Sequence, residues 1–212
     1  MKTVRHNLSA NPLVRGFTLV EIMVVMALIA ALMSLSLNVS SAWKAQKLTA
    51  QARGLASECA QAALLAQKDN YPVELRLYQA PDESGMGSDT AIRAYQLVRL
   101  TGYNPTSSKP IYKNLTEVRF FDDDIMLQPT PAYTSVLNLP LKTPEGDDIQ
   151  LRGQTRSYVS FMFLPNGTTT LPRTPDAVFT FVKESEMKDS NSLPDNYRSM
   201  TLQPVTTQTV VY

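Results

Sequence analysis

The sequence predicts an α+β fold in which a long N-terminal helix packs on an antiparallel β-sheet domain. An uncharged run of 22 residues, Ile22–Trp43, continues into a stretch with helical spacing that lasts until Pro72. Beyond Pro72 the apolar residues alternate with period two, in short runs separated by turn residues. One helix followed by a series of short strands is typical of the α+β class.

The chain begins with a short basic segment that precedes the apolar run. Met1–Gly16 carries Lys2, Arg5 and Arg15 and no acidic residue. A conventional secretory signal places its apolar core before the cleavage site, so the order here is reversed. Cleavage after Gly16 would leave the apolar segment on the mature chain. The basic leader predicts an N-terminus on the cytoplasmic side and the remainder on the far side.

The apolar run is long enough to cross a membrane. As a helix, 22 residues extend roughly 33 Å, which spans the apolar core of a bilayer. We therefore expect 17–43 to be the transmembrane half of the helix, in a single pass. An ordinary single-pass anchor and a buried core helix of a cytosolic protein are the competing interpretations. An ordinary anchor gives no reason for the residues Gly-Phe-Thr-Leu-Val-Glu at 16–21, and a core helix would not be uncharged over so long a stretch. The carboxylate of Glu21 in such a segment costs about 2.5–3.5 kcal/mol and needs a partner.

Residues 15–21, with the sequence Arg-Gly-Phe-Thr-Leu-Val-Glu, carry a family resemblance. They resemble the N-terminus of type IV pilins and pseudopilins, whose Gly-Phe-Thr-Leu-Val-Glu signature they reproduce. The resemblance implies that a prepilin peptidase cuts after Gly16 and methylates the new amine of Phe17. It also implies that Glu21, one turn from Phe17, pairs with the amine of a neighbouring subunit and sets the register between subunits.

The second half of the helix is predicted to be amphipathic. Its apolar stripe repeats with a 4-3-4-3-4 spacing and comprises Leu48, Ala52, Leu55, Cys59, Ala62 and Ala66. The helix as a whole is predicted to extend from Thr18 to Asn70, on the order of 75 Å. Gly54 lies inside it and costs about 1 kcal/mol relative to alanine.

The remainder of the chain is predicted to form strands. The expected strands are Val73–Gln79, Ile92–Leu100, Glu117–Phe121, Ser135–Leu139, Ile149–Arg152, Tyr158–Leu164, Ala177–Lys183 and Arg198–Tyr212, the last interrupted at Pro204. Asn166-Gly167 predicts a hairpin turn between Tyr158–Leu164 and a segment at Thr168–Leu171. The organisation is thus a cleaved leader at 1–16, a transmembrane half-helix at 17–43 and an exported pilin-like domain at 44–212, with helix 44–70 and sheet 72–212.

Two weaker resemblances lie in this domain. Residues 161–168 (FMFLPNGT) and 200–210 (MTLQPVTTQTV) resemble the strand-and-turn signature and the closing hairpin of GspH/FimT-like minor pseudopilins. Thr206-Thr207 stands where Thr-Gly is usual there. The middle region, with 102–105 (GYNP) and 120–124 (FFDDD), resembles the pilin-like member of the Verru_Chthon cassette proteins.

Few residues offer chemistry for a metal or cofactor, and we expect neither. Asp122, Asp123 and Asp124 are consecutive, so on an extended segment their side chains point in alternating directions and do not converge as calcium ligands must. The loop 145–148 (EGDD) invites the same two interpretations, a calcium site or a solvated turn. Cys59 has no cysteine partner in the chain and is expected to be a small buried residue.

An enzyme is not expected. The single histidine, His6, lies in the leader, so a processed chain has no imidazole for acid–base catalysis. Nor is a nucleic-acid partner expected, because the chain has no lysine or arginine after Arg198 to contact phosphates. Removing the three basic leader residues changes 20 basic and 19 acidic residues to 17 and 19, which is close to neutral.

Taken together, these features indicate a minor pilin or pseudopilin. Its expected partners are prepilin peptidase, the inner membrane and other pilins or pseudopilins, which it contacts through the N-terminal helix. Its domain would lie in the periplasm or on an extracellular filament of a type IV pilus or a type II secretion-like system. The alternative is a binding module displayed on a pilus, either an adhesin or a DNA-uptake subunit.

Overall fold

The computed structural model describes residues 17–81, 85, 89–122, 124–143, 151 and 154–212, without the side chains of residues 35–44. The chain divides into two compact units, Met1–Ala42 and Trp43–Tyr212. Helix α1, Leu19–Asp69, contributes to both units. The described strands are β1 Val73–Gln79, β2 Ile92–Tyr103, β3 Pro110–Asn114, β4 Arg119–Phe120, β5 Ile125–Leu127, β6 Tyr158–Phe163, β7 Ala177–Lys183, β8 Tyr197–Leu202 and β9 Thr209–Val211.

Helix α1 ends within one residue of the predicted boundary on each side. Its C-terminus follows from local chemistry. Asn70 has a φ of +55°, the left-handed conformation that commonly ends helices and that asparagine tolerates. Pro72 follows and cannot continue a helix. The predicted stripe is confirmed, because every member of it is fully buried: Leu48, Ala52, Leu55, Cys59, Ala62 and Ala66.

The strands form two antiparallel sheets. Sheet A has the order β3-β2-β1-β6, and β4 pairs with β2 beyond the end of β3. Sheet B has the order β5-β7-β8-β9. Alternate residues of β1, namely Val73, Leu75 and Leu77, join the buried stripe of α1 in one core cluster. Phe179 and Met200 of sheet B belong to the same cluster, so the predicted α+β class is confirmed.

The predicted strand Ser135–Leu139 is wrong. Ser135–Asn138 is a 3-10 helix whose turns are closed by Leu137 N–H to Thr134 O and Leu139 N–H to Val136 O, both 3.1 Å. The Ser135 hydroxyl oxygen accepts a hydrogen bond of 2.8 Å from the N–H of Val178. The Ser135 side chain therefore binds the backbone at the start of β7. Its short apolar run suited a strand and a helical turn equally well, so periodicity did not discriminate between them.

Two strands were not predicted, and one prediction falls largely outside the described residues. β3 has no clear alternation and is largely exposed, and β5 has only three residues, so neither gives a sequence signal. β2 continues to Tyr103, three residues beyond its predicted end, since β3 pairs with this extension. Of the predicted strand Ile149–Arg152 only Leu151 is described, and it forms an isolated bridge with Gln154.

The predicted turn and closing hairpin are confirmed. Gly167 has a φ of +83°, and the N–H of Leu164 donates to Thr168 O at 2.8 Å. The segment after it makes only an isolated bridge, between Thr169 and Phe163. At the closing hairpin, β8 and β9 pair on either side of the expected interruption. Thr207 has a φ of +58°, so a threonine holds the left-handed position that glycine usually occupies.

Candidate functional site

The start of α1 is a capped helix N-terminus. Thr18 precedes the first helical residue, and its hydroxyl oxygen accepts a hydrogen bond of 3.2 Å from the N–H of Glu21. Its carbonyl oxygen accepts the first helical bond, from the N–H of Ile22 at 3.2 Å. Thr18 and Glu21 thus stand in the spacing of a capping box. A threonine cap of this kind stabilises a helix by about 1 kcal/mol, and a carboxylate in the first turn interacts favourably with the helix dipole.

The first turns of the helix expose apolar side chains on every face. All leucine, isoleucine, valine and methionine residues between Leu19 and Met33 are exposed. Glu21 is the only charged residue from Phe17 to Met33. A helix that is apolar on all faces is normally buried, either in a protein core or in a membrane. We therefore expect this surface to be buried when the protein functions.

The predicted processing and pairing residues lie together at this end of α1, as far as they are described. Gly16 and the rest of the leader lie outside the described residues. Phe17 is 79% exposed, and Glu21 is exposed one turn later. Within the described part of the chain, no helix combines the length and hydropathy that a membrane crossing requires.

Of the acidic residues at 122–124, Asp124 has a structural role. Asp124 has a φ of +69°, and its carboxylate accepts hydrogen bonds from the N–H of Ser185, at 2.8 Å, and from the Ser185 hydroxyl. Asp122 is exposed, and Asp123 lies outside the described residues, as does the loop 145–148. Among the described residues no group of three or more His, Cys, Asp or Glu side chains is placed to hold a metal.

Cys59 is a core residue, as predicted. It is fully buried in the stripe of α1. Burial, together with the neighbouring Glu58 carboxylate, raises the pKa of its thiol from 9.0 to about 12. The nucleophilic form of a cysteine is the thiolate, so this thiol is unreactive in the folded protein at neutral pH.

A buried carboxylate on α1 was not predicted. Glu58 is 4% exposed, and its carboxylate forms an ion pair with Arg119, the first residue of β4 in sheet A. The second carboxylate oxygen, Oε2, is buried without a hydrogen-bond partner among the described residues. Tyr95 lies against the same pair, and burial followed by the Glu58 charge raises the pKa of its hydroxyl. The pair ties the helix to the edge of sheet A.

A second buried ionic group lies on β1. Glu74 and Arg76 are both fully buried and form an ion pair of 2.9 Å between Oε2 and Nε. The Arg76 guanidinium lies between the rings of Tyr112 and Tyr158, 4.4 and 4.6 Å from their centroids. Lys142 adds a second cation 3.2 Å from Glu74 Oε1. These contacts join β1 to Tyr112 of β3, to Tyr158 of β6 and to Lys142, and a cation near an aromatic face is attracted to it.

Sequence reasoning missed both ionic groups for a definable reason. The alternation Val-Glu-Leu-Arg-Leu-Tyr in β1 predicts one buried face and one solvated face. In the structure both faces of β1 are buried, and on the second face Tyr78 of β1 belongs to a buried cluster with Leu151 and Tyr158. Nothing local in the sequence marks a polar residue as covered by a distant segment. No sequence signal identifies Glu58 as buried either, except its place beside Cys59.

A small apolar cavity lies between the 3-10 helix Ser135–Asn138 and the loop before β7. It measures about 150 Å³ and is lined by Val136, Leu139, Leu171 and Pro175, among others. Ligand pockets usually measure about 300–1,000 Å³. The cavity is therefore too small to indicate a ligand on its own.

Comparison with known proteins places the functional signature at the N-terminus. Residues 12–37 match the family described as the prokaryotic N-terminal methylation motif. No curated protein and no solved structure matches the chain. The match covers the start of α1 described above. The chain therefore carries the N-terminal signature of type IV pilin-like prepilins, which belongs to membrane-anchored or filament-forming proteins.

Proposed function

We propose that the chain is a minor pilin or pseudopilin, a structural subunit of a type IV pilus or a type II secretion-like filament. Prepilin peptidase removes 1–16 by cutting after Gly16 and methylates the amine of Phe17. The observation that carries this proposal is the match to the methylation motif at residues 12–37. The capped helix start and the apolar surface that follows it support the same function.

On this proposal the protein acts by assembly and not by catalysis. Residues 17–43 anchor the subunit in the inner membrane, in a single pass, and pack among the helices of other subunits in the filament. Lipid chains and neighbouring apolar helices both provide the covering that exposed side chains from Leu19 to Met33 require. The domain from residue 44 onward is displayed in the periplasm or on the filament.

Glu21 sets the register of each subunit against the next. No described residue hydrogen-bonds to its carboxylate. The contact with Thr18 is made by the backbone N–H of Glu21 and leaves the carboxylate unused. Burying this carboxylate among apolar helices costs about 2.5–3.5 kcal/mol unless a cation meets it. Residues 17–43 contain no lysine or arginine to supply this cation, and the proposal assigns it to another chain. The methylated amine of a neighbouring subunit's first residue lies at the matching depth, one turn away.

Two variants test the proposal because they separate the carboxylate from the cap. Glu21→Val keeps the backbone N–H that Thr18 binds and removes the charge. Thr18→Ala removes the cap and keeps the charge. We expect both variants to be inserted and cleaved, Glu21→Val to be absent from sheared filaments, and Thr18→Ala to be incorporated nearly as the wild type is. Filaments that contain Glu21→Val at the wild-type level would refute the pairing role. Equal loss of both variants would assign the defect to the helix start.

A further inference from the structure

Two arginines flank Thr49 in the first turns of the domain. The Nε–H of Arg198, the second residue of β8, donates a hydrogen bond of 3.0 Å to the hydroxyl oxygen of Thr49 on α1. Arg53 follows Thr49 by one helical turn, on the same face of α1. Helical side chains lean toward the N-terminus of their helix, so the side chain of Arg53 extends back over Thr49 and toward Arg198.

Neither arginine has an anionic partner within the described part of the chain. Arg53 is exposed and forms no ion pair or hydrogen bond there. Arg198 is half-buried, and its Nη1–H donates to the carbonyl oxygen of Tyr197 at 2.7 Å. A guanidinium has five N–H donors, so the bonds to Thr49 and Tyr197 leave most of them unused. The Nη2 atom of Arg198 is not among the buried unpaired atoms, so its donors reach the surface.

The two segments that carry these arginines contain basic residues and no acid. From Ile22 to Ser57 the helix has three basic residues and neither aspartate nor glutamate. From Asn196 to Tyr212 the only charged residue is Arg198. Asp195 comes directly before this segment, but it forms no ion pair with a described residue. Partly buried cations are normally paired, and the parallel donors of a guanidinium match a phosphate. The two arginines therefore lack an anion that the described chain does not supply.

The site follows closely on the apolar segment. Thr49 comes six residues after Trp43, which is about 9 Å along a helix. The headgroup layer on each side of a bilayer core is about 5–8 Å thick. A long side chain that leans back from this position therefore reaches the headgroups of a membrane that holds 17–43. Tyr197, next to Arg198, is 41% exposed, and tyrosine and tryptophan are both enriched at membrane interfaces.

We propose that Arg53 and Arg198 bind the phosphate of an anionic phospholipid in the leaflet on the side of the domain. This inference rests on the proposed function, which places 17–43 in the membrane and the domain outside it. Basic residues of membrane proteins are concentrated on the cytoplasmic side, so basic residues on the far side of this segment need another role. The lipid neutralises both guanidiniums and holds the domain at the membrane surface until the subunit enters a filament.

Lipid binding to the full-length chain in detergent micelles tests the proposal. The chain is titrated with phosphatidylglycerol or with phosphatidylcholine of the same acyl chains, and bound lipid is counted by native mass spectrometry. Near an anionic membrane surface each arginine contributes about fivefold to affinity. We expect phosphatidylglycerol to bind on the order of tenfold more tightly than phosphatidylcholine, because the choline cation is repelled by the two arginines.

Arg53→Gln is the informative variant because Arg53 has no described contact to lose. We expect it to weaken the binding of phosphatidylglycerol about fivefold and to leave the binding of phosphatidylcholine and the thermal melt unchanged. Arg198→Gln should show the same loss, while its melt reports the lost hydrogen bond to Thr49 separately. Arg173→Gln, at an exposed arginine in the loop before β7, is the matched control and should bind both lipids as the wild type does.

Three results would overturn the proposal. The first is equal affinity for the two lipids, or wild-type affinity of Arg53→Gln for phosphatidylglycerol. The second is displacement of the lipid by millimolar inorganic phosphate, since the site would then bind a free anion. The third is loss of Arg53→Gln from sheared filaments at unchanged lipid affinity, which would assign the arginines to a carboxylate of another subunit.

The binding measurement is independent of the proposed function because it needs neither cleavage nor assembly. A chain that prefers phosphatidylglycerol but is never processed would contradict the proposed function alone. A processed and assembled chain without this preference would contradict the lipid site alone.

Discussion

Leu55 on α1 provides a quantitative test of how the helix packs on the sheets. It is fully buried in the core cluster, where α1 meets both sheets. Truncation to alanine at such sites costs about 2.7–5.0 kcal/mol, the transfer free energy of the lost methyl groups plus the cavity they leave. In a domain of this size each kcal/mol lowers Tm by about 2–4 °C. Leu55→Ala is therefore expected to lower Tm by roughly 5–20 °C.

Leu64 supplies the matched control on the same helix. It is 68% exposed, so the same substitution removes little buried surface. Alanine also has the higher helix propensity, and we expect a change within about 0.5 kcal/mol. The assay is thermal unfolding of the full-length chain in detergent, followed by near-ultraviolet circular dichroism of the buried aromatic rings. Equal shifts for the two variants, or a larger shift for Leu64→Ala, would show that the stripe of α1 does not face the sheets.

Three further predictions concern single residues. Gly54→Ala places a methyl group 4.0 Å from the Tyr95 hydroxyl, an ordinary contact, so it should raise the free energy of unfolding by about 0.5–1 kcal/mol, measured by urea titration. Thr207→Gly relieves a left-handed β-branched residue and should raise Tm by a few degrees, about 1 kcal/mol; an unchanged or lower Tm would contradict the strain inferred from its φ of +58°. The pKa of Cys59 is raised from 9.0 to about 12, so its contribution to stability is complete below pH 9 and is lost as the pH rises toward 12, because only the unfolded chain releases the proton in that window. Cys59→Ala should flatten the alkaline loss of stability by about 1.4 kcal/mol per pH unit above 9, and an unchanged slope in urea titrations at pH 9 and 10 would refute the buried thiol as its source.

Much of the fold could be predicted because its signals are local. The stripe from Leu48 to Ala66 follows from helical spacing alone, and β1 and β7 have the bounds that their sequences predict. Asn166-Gly167 predicts its turn because Gly167, as a glycine, takes a φ of +83° without strain. In each case neighbours in sequence decide the conformation.

Features that depend on distant partners could not be predicted. β3 exists because the extended end of β2 pairs with it, not because its own residues alternate. Ser135–Asn138 forms a 3-10 helix that a hydrogen bond to Val178 holds in place. The buried pair of Glu74 and Arg76 depends on Lys142 and on two tyrosines from other strands.

The candidate site could be predicted because it does not depend on distant partners. Its residues lie within a few positions of one another, so a short motif defines them. The structure adds that Thr18 caps the helix whose first turn contains Glu21. The motif alone does not reveal this role of Thr18. How Gly16 and Phe17 are processed remains a prediction.

The most direct test of the proposed function is the intact mass of the protein from membranes of cells with an active prepilin peptidase. We expect a chain that begins at Phe17, with the added mass of one methyl group on its amine. A Gly16→Leu variant, whose bulkier residue precedes the cleavage point, should keep the leader and lack the methyl group. A wild-type chain that still begins at Met1 in those cells would contradict the proposal that this protein is a processed pilin-like subunit.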